Sequence, residues 1–371
     1  MVERSVGSDT NQSAEAFWIT ALTTILLFVG FKPERFSERD YSHSARTGRR
    51  NVPHRRVDPG RGRLANRPSD IPPAGWKDVL WRVYQNIGSD RVIALAAGVT
   101  FYSILALFPA VAALVSLYGL FADSSAIAAH LDGLSGILPQ GALDVLREEM
   151  NRIASQGSNT LGMTFIVGLA TALWSANAGI KSLFDTLNLV NKEPERRGLI
   201  KLNAVSLAFT LAAIVFVLLA LGAMVVLPIV LDYLGIATAA ELATKILRWP
   251  TLLVVVMFGL SLIYRYGPSR AKPKWRWITW GSAFAAVGWL AVSLLFSWYA
   301  ANFGSYNKTY GSLGAVIGFM IWIWLSIIVI LLGAELNAES EHQSVRDTTT
   351  GAPQPMGSRG AKMADTVGAK A

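Results

Sequence analysis

Asn177, Lys181 and Asp185 stand four residues apart, with Asn188 three further on, inside the stretch WSANAGIKSLFDTLNLVNKEPERRGLIK at 174–201. On a helix this spacing places all four on one face. Lys181 and Asp185 can pair at i and i+4, and burying either alone in hydrocarbon costs about 2.5–3.5 kcal/mol on insertion scales. Both must therefore face protein, water or headgroups. Two readings follow. In the first, Asn177, Lys181, Asp185 and Asn188 line a cytoplasm-facing polar cavity that receives a phosphate-bearing headgroup. In the second, the charged pair lies at the interface and snorkels. Arg197, just beyond the stripe, and Glu335, which with Asn337 closes the last apolar run, belong to the same candidate site. Glu335 can pair with Lys181 or Arg197, or stand as a simple helix-end carboxylate.

Catalytic chemistry has little to work with. The chain has no cysteine, which removes disulfides, zinc–thiolate sites and thiol catalysis. Metal-dependent phosphodiester hydrolysis needs clustered histidines and carboxylates. The four histidines, His43, His54, His130 and His342, are scattered over linker, outer loop and tail. No phosphate-cradling GxxxxGKS or GxxxxGKT run and no GxSxG elbow occurs. Glu148 and Glu149 are adjacent, so on a helix they point about 100° apart and read as a solvated face. The residues predict no enzyme, no metal and no cofactor, and any transport is facilitated or ion-coupled unless a separate ATPase assists.

The elements that must position the stripe are membrane helices. Of 371 residues 52% are hydrophobic and 16% charged, against about 25% charged in a soluble domain. Mean hydropathy is +0.38. Long uncharged runs between charged clusters predict an all-α polytopic membrane protein: a six-span helical core with an extra amino-terminal span. The core spans read as 92–121, 161–187, 202–231, 246–264, 278–301 and 313–336, preceded by a short amphipathic helix over 76–87. Pro109 should kink the first of them, whereas Pro250 falls near a boundary. Gly314 and Gly318, at GxxxG spacing, predict a close helix contact in the last. The polar segment 304–311 is a loop or an outer gate.

The flanks differ. Residues 1–31 hold an apolar run, 14–31, taken as the extra span. Residues 32–75 are Arg- and Pro-rich and read as a disordered basic linker; the membrane domain occupies 76–341; and 342–371 reads as a disordered tail. Basic residues concentrate in 192–201 and 265–276, while the long connection 122–160 is acidic and carries a surface helix. The positive-inside bias puts the basic loops, the linker and the tail in the cytoplasm. Anionic lipid headgroups are the partners expected at those loops. With few aromatics to stack on bases, the linker predicts no specific nucleic acid. Oligomeric state is not legible.

Three blocks carry a likeness: ALAAGVTFYSILALFPAVAAL at 94–114, WSANAGIKSLFDTLNLV with ERRGLIK at 174–201, and YGSLGAVIGFMIWIWLSIIVILLGAELNAE at 310–339. Their order and spacing resemble the YihY/BrkB family of bacterial inner-membrane proteins over about 76–341. The resemblance implies a six-span core with both ends in the cytoplasm. Family members have been tied to serum resistance and virulence, have often been labelled ribonuclease BN, and are now associated with moving envelope lipids or lipopolysaccharide precursors. Lipid or amphiphile handling for envelope biogenesis is thus the leading expectation. A scaffold for envelope-assembly proteins is the alternative, favoured by an apolar interior with no polar cavity, and a nuclease is disfavoured.

The cysteine-free chain allows a direct check of the extra span. A single cysteine at Ser8 should be labelled by an impermeant maleimide from the periplasmic side; labelling solely from the cytoplasm would refute it.

Overall fold

In hydrocarbon, backbone amides must bond within their own segment, so uninterrupted apolar runs of this length fold as helices. The computed structural model describes residues 59–121, 158–233, 237–303 and 312–371, all within the unit Val57–Ala371. The apolar run 14–31, the basic linker up to residue 58, the acidic segment 122–157 and the segment 304–311 lie outside the described residues.

The described residues hold eight α-helices: α1 (Pro73–Ser89), α2 (Val92–Phe121), α3 (Ser158–Val190), α4 (Leu199–Tyr233), α5 (Ala237–Tyr266), α6 (Trp275–Phe303), α7 (Ser312–Glu341) and the short α8 (Lys362–Asp365). Four of them contain stretches long and apolar enough to cross a membrane: Val92–Ala110, Leu199–Phe216, Trp275–Tyr299 and Val316–Glu341. α5 holds a shorter one, Pro250–Tyr266. α3 is equally long, at 33 residues, but its charged and amide side chains make it the most polar of the bundle's long helices apart from α5. α2 runs on through Pro109. Pro250 lies inside α5, because that helix starts nine residues before the span read from hydropathy.

α2 packs along α3, α6 packs between α5 and α7, and α7 also touches α1, α2 and α3. Buried Val92, Ala96 and Val99 of α2 meet Leu183, Phe184 and Leu187 of α3, Tyr264 of α5, Ala285 of α6 and Leu331 and Ala334 of α7 in one core. α4 sits at the side of the bundle, joined to α3 by an edge-to-face contact of Phe209 with Phe184 at 5.4 Å. Leu199, Ile200, Val254, Phe258, Val287 and Leu295 are exposed on outward faces, as lipid-facing surface requires.

Among the described residues, α6 and α7 meet in a close helix contact. A Cβ on Gly281 would stand 2.1 Å from the carbonyl oxygen of Gly333, and one on Gly333 would stand 2.6 Å from that of Gly281. Gly281 also donates its amide to Asn337 Oδ1 at 2.8 Å. Of the two glycines expected to permit a close approach, Gly318 is described and the surroundings of Gly314 lie outside the described residues. A Cβ at Gly318 would meet Phe296 at an ordinary 3.6 Å. Gly281 and Gly333, which do touch, come from two helices and form no motif in either.

Residues 342–371 correct the expectation of a disordered tail. They fold back across the loop-bearing end of the bundle, where Val345 donates its amide to the Arg63 carbonyl at 2.8 Å, Lys274 to Thr348 at 2.8 Å, and Thr350 to Lys272 at 2.9 Å. Gln343, Ser344, Thr348, Met363 and Ala364 are buried, and Met363 joins the main core. The end of the supposed linker is ordered too, with 3-10 turns at Pro59–Arg61 and Pro68–Asp70 and a small core of Ala65, Ile71 and Trp277. Neither segment has hydrophobic periodicity; both are held by polar contacts to distant parts of the chain, which composition does not reveal.

Gly281→Ala should lower the midpoint of thermal unfolding in detergent, since relieving the clash costs about 1–3 kcal/mol. Gly259→Ala, at a helix position with nothing within 4 Å, should be neutral or stabilising. Equal midpoints for the two variants would contradict the contact.

Candidate functional site

α3 carries the predicted stripe on its outward face. Met163, Val167, Trp174, Asp185 and Leu189 recur at helical spacing and are exposed, and Lys181 lies half-buried between them. Lys181 and Asp185 make no ion pair or hydrogen bond among the described residues. Asp185 is within electrostatic reach of Glu195, Arg197 and Lys181. At 1.5 Å per residue, Asp185 is about 7 Å and Lys181 about 13 Å short of the helix end at Val190. Among the described residues the stripe thus opens to the side of the bundle near its loop-bearing end. Asn177 is half-buried, and its Oδ1, like Ser175 Oγ two residues earlier, is buried with no hydrogen-bond partner among the described residues.

Asn188 and Arg197 have another occupation. α3 ends in a left-handed turn with Lys192 at φ 57, and the Glu193 amide bonds back to the Asn188 carbonyl at 2.8 Å. The chain that follows folds over Asn188, which is buried and donates to Glu195 Oε2 at 2.9 Å while accepting the Ser269 amide at 2.6 Å. Arg197 grips the Glu195 carboxylate at 2.6 and 2.8 Å, donates to the Gly267 carbonyl at 2.7 Å, and stacks over Phe184 at 5.2 Å. These two residues latch the α3–α4 loop to the α5–α6 loop. What remains accessible of the stripe is Lys181 with Asp185.

Glu335 is fully buried and has neither Lys181 nor Arg197 as a partner among the described residues. It accepts from Asn86 of α1 at 3.3 Å, in an environment shared with Asp90 and Lys192. Asp90 and Lys192 form an ion pair of their own. One turn on, Glu339 pairs with Arg82 at 2.5 Å and accepts from Asn86 at 2.9 Å. Arg82 reaches Gln343 at 2.9 Å and the Ala369 carbonyl at 2.7 Å. Glu341 takes a bidentate grip from Arg270 at 2.6 and 2.7 Å, and Arg270 also donates to Asn191 at 2.6 Å. Sequence reasoning singled out Glu335 alone. The signal available was the repetition of acids in the last two turns of α7, the end of a helix where the dipole disfavours negative charge.

Comparison with known proteins bears on this geometry. The model of the family described as virulence factor BrkB matches residues 83–357. The chain belongs to the BrkB family. That match runs into the folded tail, past the boundary at 341 drawn from the three sequence blocks. Among curated relatives, a ribonuclease-like protein, YfkH of Bacillus subtilis, is 30% identical over 252 residues, 66% of this chain and 88% of that one. A membrane protein of Pseudoalteromonas translucida is 26% identical over 74% of this chain and 88% of its own length. A membrane protein of Kangiella koreensis is 26% identical over 68% of this chain, which spans 60% of that relative. No solved structure matches the chain. The BrkB-family protein is thus a membrane protein whose α3 stripe, latch and buried acid cluster all lie within the family region.

The latch has a pH signature. Burial would raise the Glu195 carboxyl, but Arg197 and Asn188 hold it down at about 2, below the ordinary 4.5. A depressed folded-state value stabilises fully above pH 4.5, and that contribution is lost as pH falls from 4.5 toward 2. Thermal midpoints of the protein in detergent should therefore fall more steeply across that window than those of Glu195→Gln; parallel curves would contradict the latch.

Proposed function

We propose that this BrkB-family protein moves a phosphate-bearing lipid or related amphiphile across the bacterial inner membrane for envelope biogenesis, without catalysing a chemical reaction. The observation that carries the reading is the Lys181–Asp185 pair on the exposed face of α3, flanked along the same face by exposed Met163, Val167 and Trp174. Charges at membrane depth are expensive unless headgroups or water reach them. A sideways-open polar stripe provides such a place: a headgroup moves along it while the acyl tails stay in lipid. This path runs along the side of the bundle, where the sequence suggested a cytoplasm-facing polar cavity.

Orientation follows from charge. Lys192, Arg196, Arg197, Arg270, Lys272, Lys274 and Arg276 gather at one end of the bundle, where Arg197 touches Gly267 and Arg270 touches Asn191. The positive-inside bias supports a cytoplasmic location for that end, so the stripe opens near the inner leaflet. The name of the Bacillus relative is not carried over. Nuclease chemistry needs a histidine and carboxylate cluster, and His342 in this chain bonds Thr366 at 3.0 Å and stands 3.4 Å from the Arg82-paired Glu339.

Transbilayer movement of a fluorescent anionic phospholipid in proteoliposomes is the test. Lys181→Ala and Asp185→Ala should each slow it about tenfold or more while leaving abundance and thermal midpoint near wild type. Equal rates in wild type and both variants, or no movement above empty liposomes, would remove the reading.

A further inference from the structure

A second site lies in different elements. Between the turn region before α1, the start of α6 and the folded tail is a cleft of about 470 Å³ lined by Asn66, Lys274, Arg276, Arg346, Asp347 and Arg359. Four of these side chains are cationic and one is anionic. The single carboxylate is already satisfied by tail donors: Asp347 accepts from the Thr349 amide and hydroxyl at 2.8 and 2.7 Å and from the Gln354 amide at 2.8 Å. None of the four cations is in an ion pair among the described residues. Arg359 is buried, and its guanidinium donates to carbonyl oxygens of Val345, Ala364 and Gln354 at 2.8, 2.6 and 3.1 Å. Arg346 donates to Asn66 Oδ1 at 2.9 Å and Lys274 to the Asp347 carbonyl at 2.7 Å. Arg276 is exposed and makes no hydrogen bond among the described residues.

Neutral carbonyls orient these cations without cancelling their charge, which leaves the cleft with a surplus of positive charge in a concave, partly desolvated place. The amino-terminal end of α6, a 29-residue helix, adds its positive dipole end there. The level of the cleft is also informative. The apolar stretch of α6 begins at Trp275, and Trp275 and Trp280 are exposed, with Trp280 against Trp76 at 5.8 Å. Tryptophans so placed mark the plane where a span meets the headgroup layer.

We propose that this cleft binds a phosphate group, with Arg276 and Arg346 as its ligands and Arg359 as a fixed positive charge behind them. The phosphate comes either from an anionic phospholipid headgroup seated at the rim of α6 or from a soluble phosphate. The site stands apart from the α3 stripe, so its occupancy does not depend on whether that stripe moves lipid.

The full chain in nanodiscs separates the two sources. In discs of phosphatidylcholine alone, inorganic phosphate is titrated at constant ionic strength against chloride, with the thermal midpoint as readout. In a second arm, phosphatidylglycerol replaces part of the phosphatidylcholine, and lipid retained by the protein is counted by native mass spectrometry. A rise in midpoint with inorganic phosphate supports a soluble ligand, and retention of phosphatidylglycerol over phosphatidylcholine supports a lipid headgroup. In whichever arm responds, Arg276→Ala should weaken binding about tenfold and the Arg276→Ala, Arg346→Ala double variant further, as loss of charge-assisted contacts implies. Arg276→Lys should retain most of it. Arg276 has no side-chain hydrogen bond or ion pair among the described residues, so its variants should fold. No response in either arm, or a response unchanged in Arg276→Ala and the double variant, would overturn the site.

Discussion

Three carboxylates leave the last two turns of α7, and the loop-bearing end of the bundle is assembled around them. Glu335, Glu339 and Glu341 are all buried at a helix terminus whose dipole repels negative charge. Their partners come from two distant parts of the chain: Asn86 and Arg82, one turn apart on α1, hold Glu335 and Glu339, and Arg270 in the α5–α6 loop holds Glu341. Removing one member of a buried pair typically costs about 3–5 kcal/mol, because the other charge stays uncompensated. This gives the cluster a strong directional hold on elements that apolar packing alone would let slide.

The hold propagates. Lys192, brought beside Asp90 by the left-handed turn that ends α3, fixes the start of the α3–α4 loop; Asn191 meets Arg270 two helices away. With that loop placed, Glu195 and Arg197 close over Asn188 and cover the end of the α3 stripe. Asp185, about one turn further in, stays exposed, and Lys181, about two turns in, stays half-buried without a partner among the described residues. The same geometry thus spends part of a polar stripe on architecture and leaves part exposed, and it is the exposed part on which a transport reading rests. The tail completes the cap, since Arg82 reaches the Ala369 carbonyl and Arg63 the Gly368 carbonyl. Its return past Lys274 is also what closes the basic cleft.

Much of the fold was legible before any coordinates. Each of the six apolar runs became a helix, because a run of that length has one way to satisfy its amides in lipid. The order of the charged loops was legible too, and those loops do meet at one end. The candidate site was less so. Asn188 and Arg197 have the residue types of a headgroup ligand, yet their partners, Ser269, Gly267 and Glu195, include residues some 70–80 positions away. Helical periodicity shows which residues share a face. It does not show what another segment lays over that face.

The sequence by itself determined the membrane class, the helices and the family, because these follow from hydropathy, period and contiguous motifs. Tertiary structure alone decided that Gly281 faces Gly333, that Glu339 pairs with Arg82, and that a polar tail of low hydrophobicity folds. The physical reason is common to all three. Each depends on a close approach between residues that are distant in the chain, where a missing Cβ or a buried charge takes its value from the partner opposite and carries no periodic signal of its own.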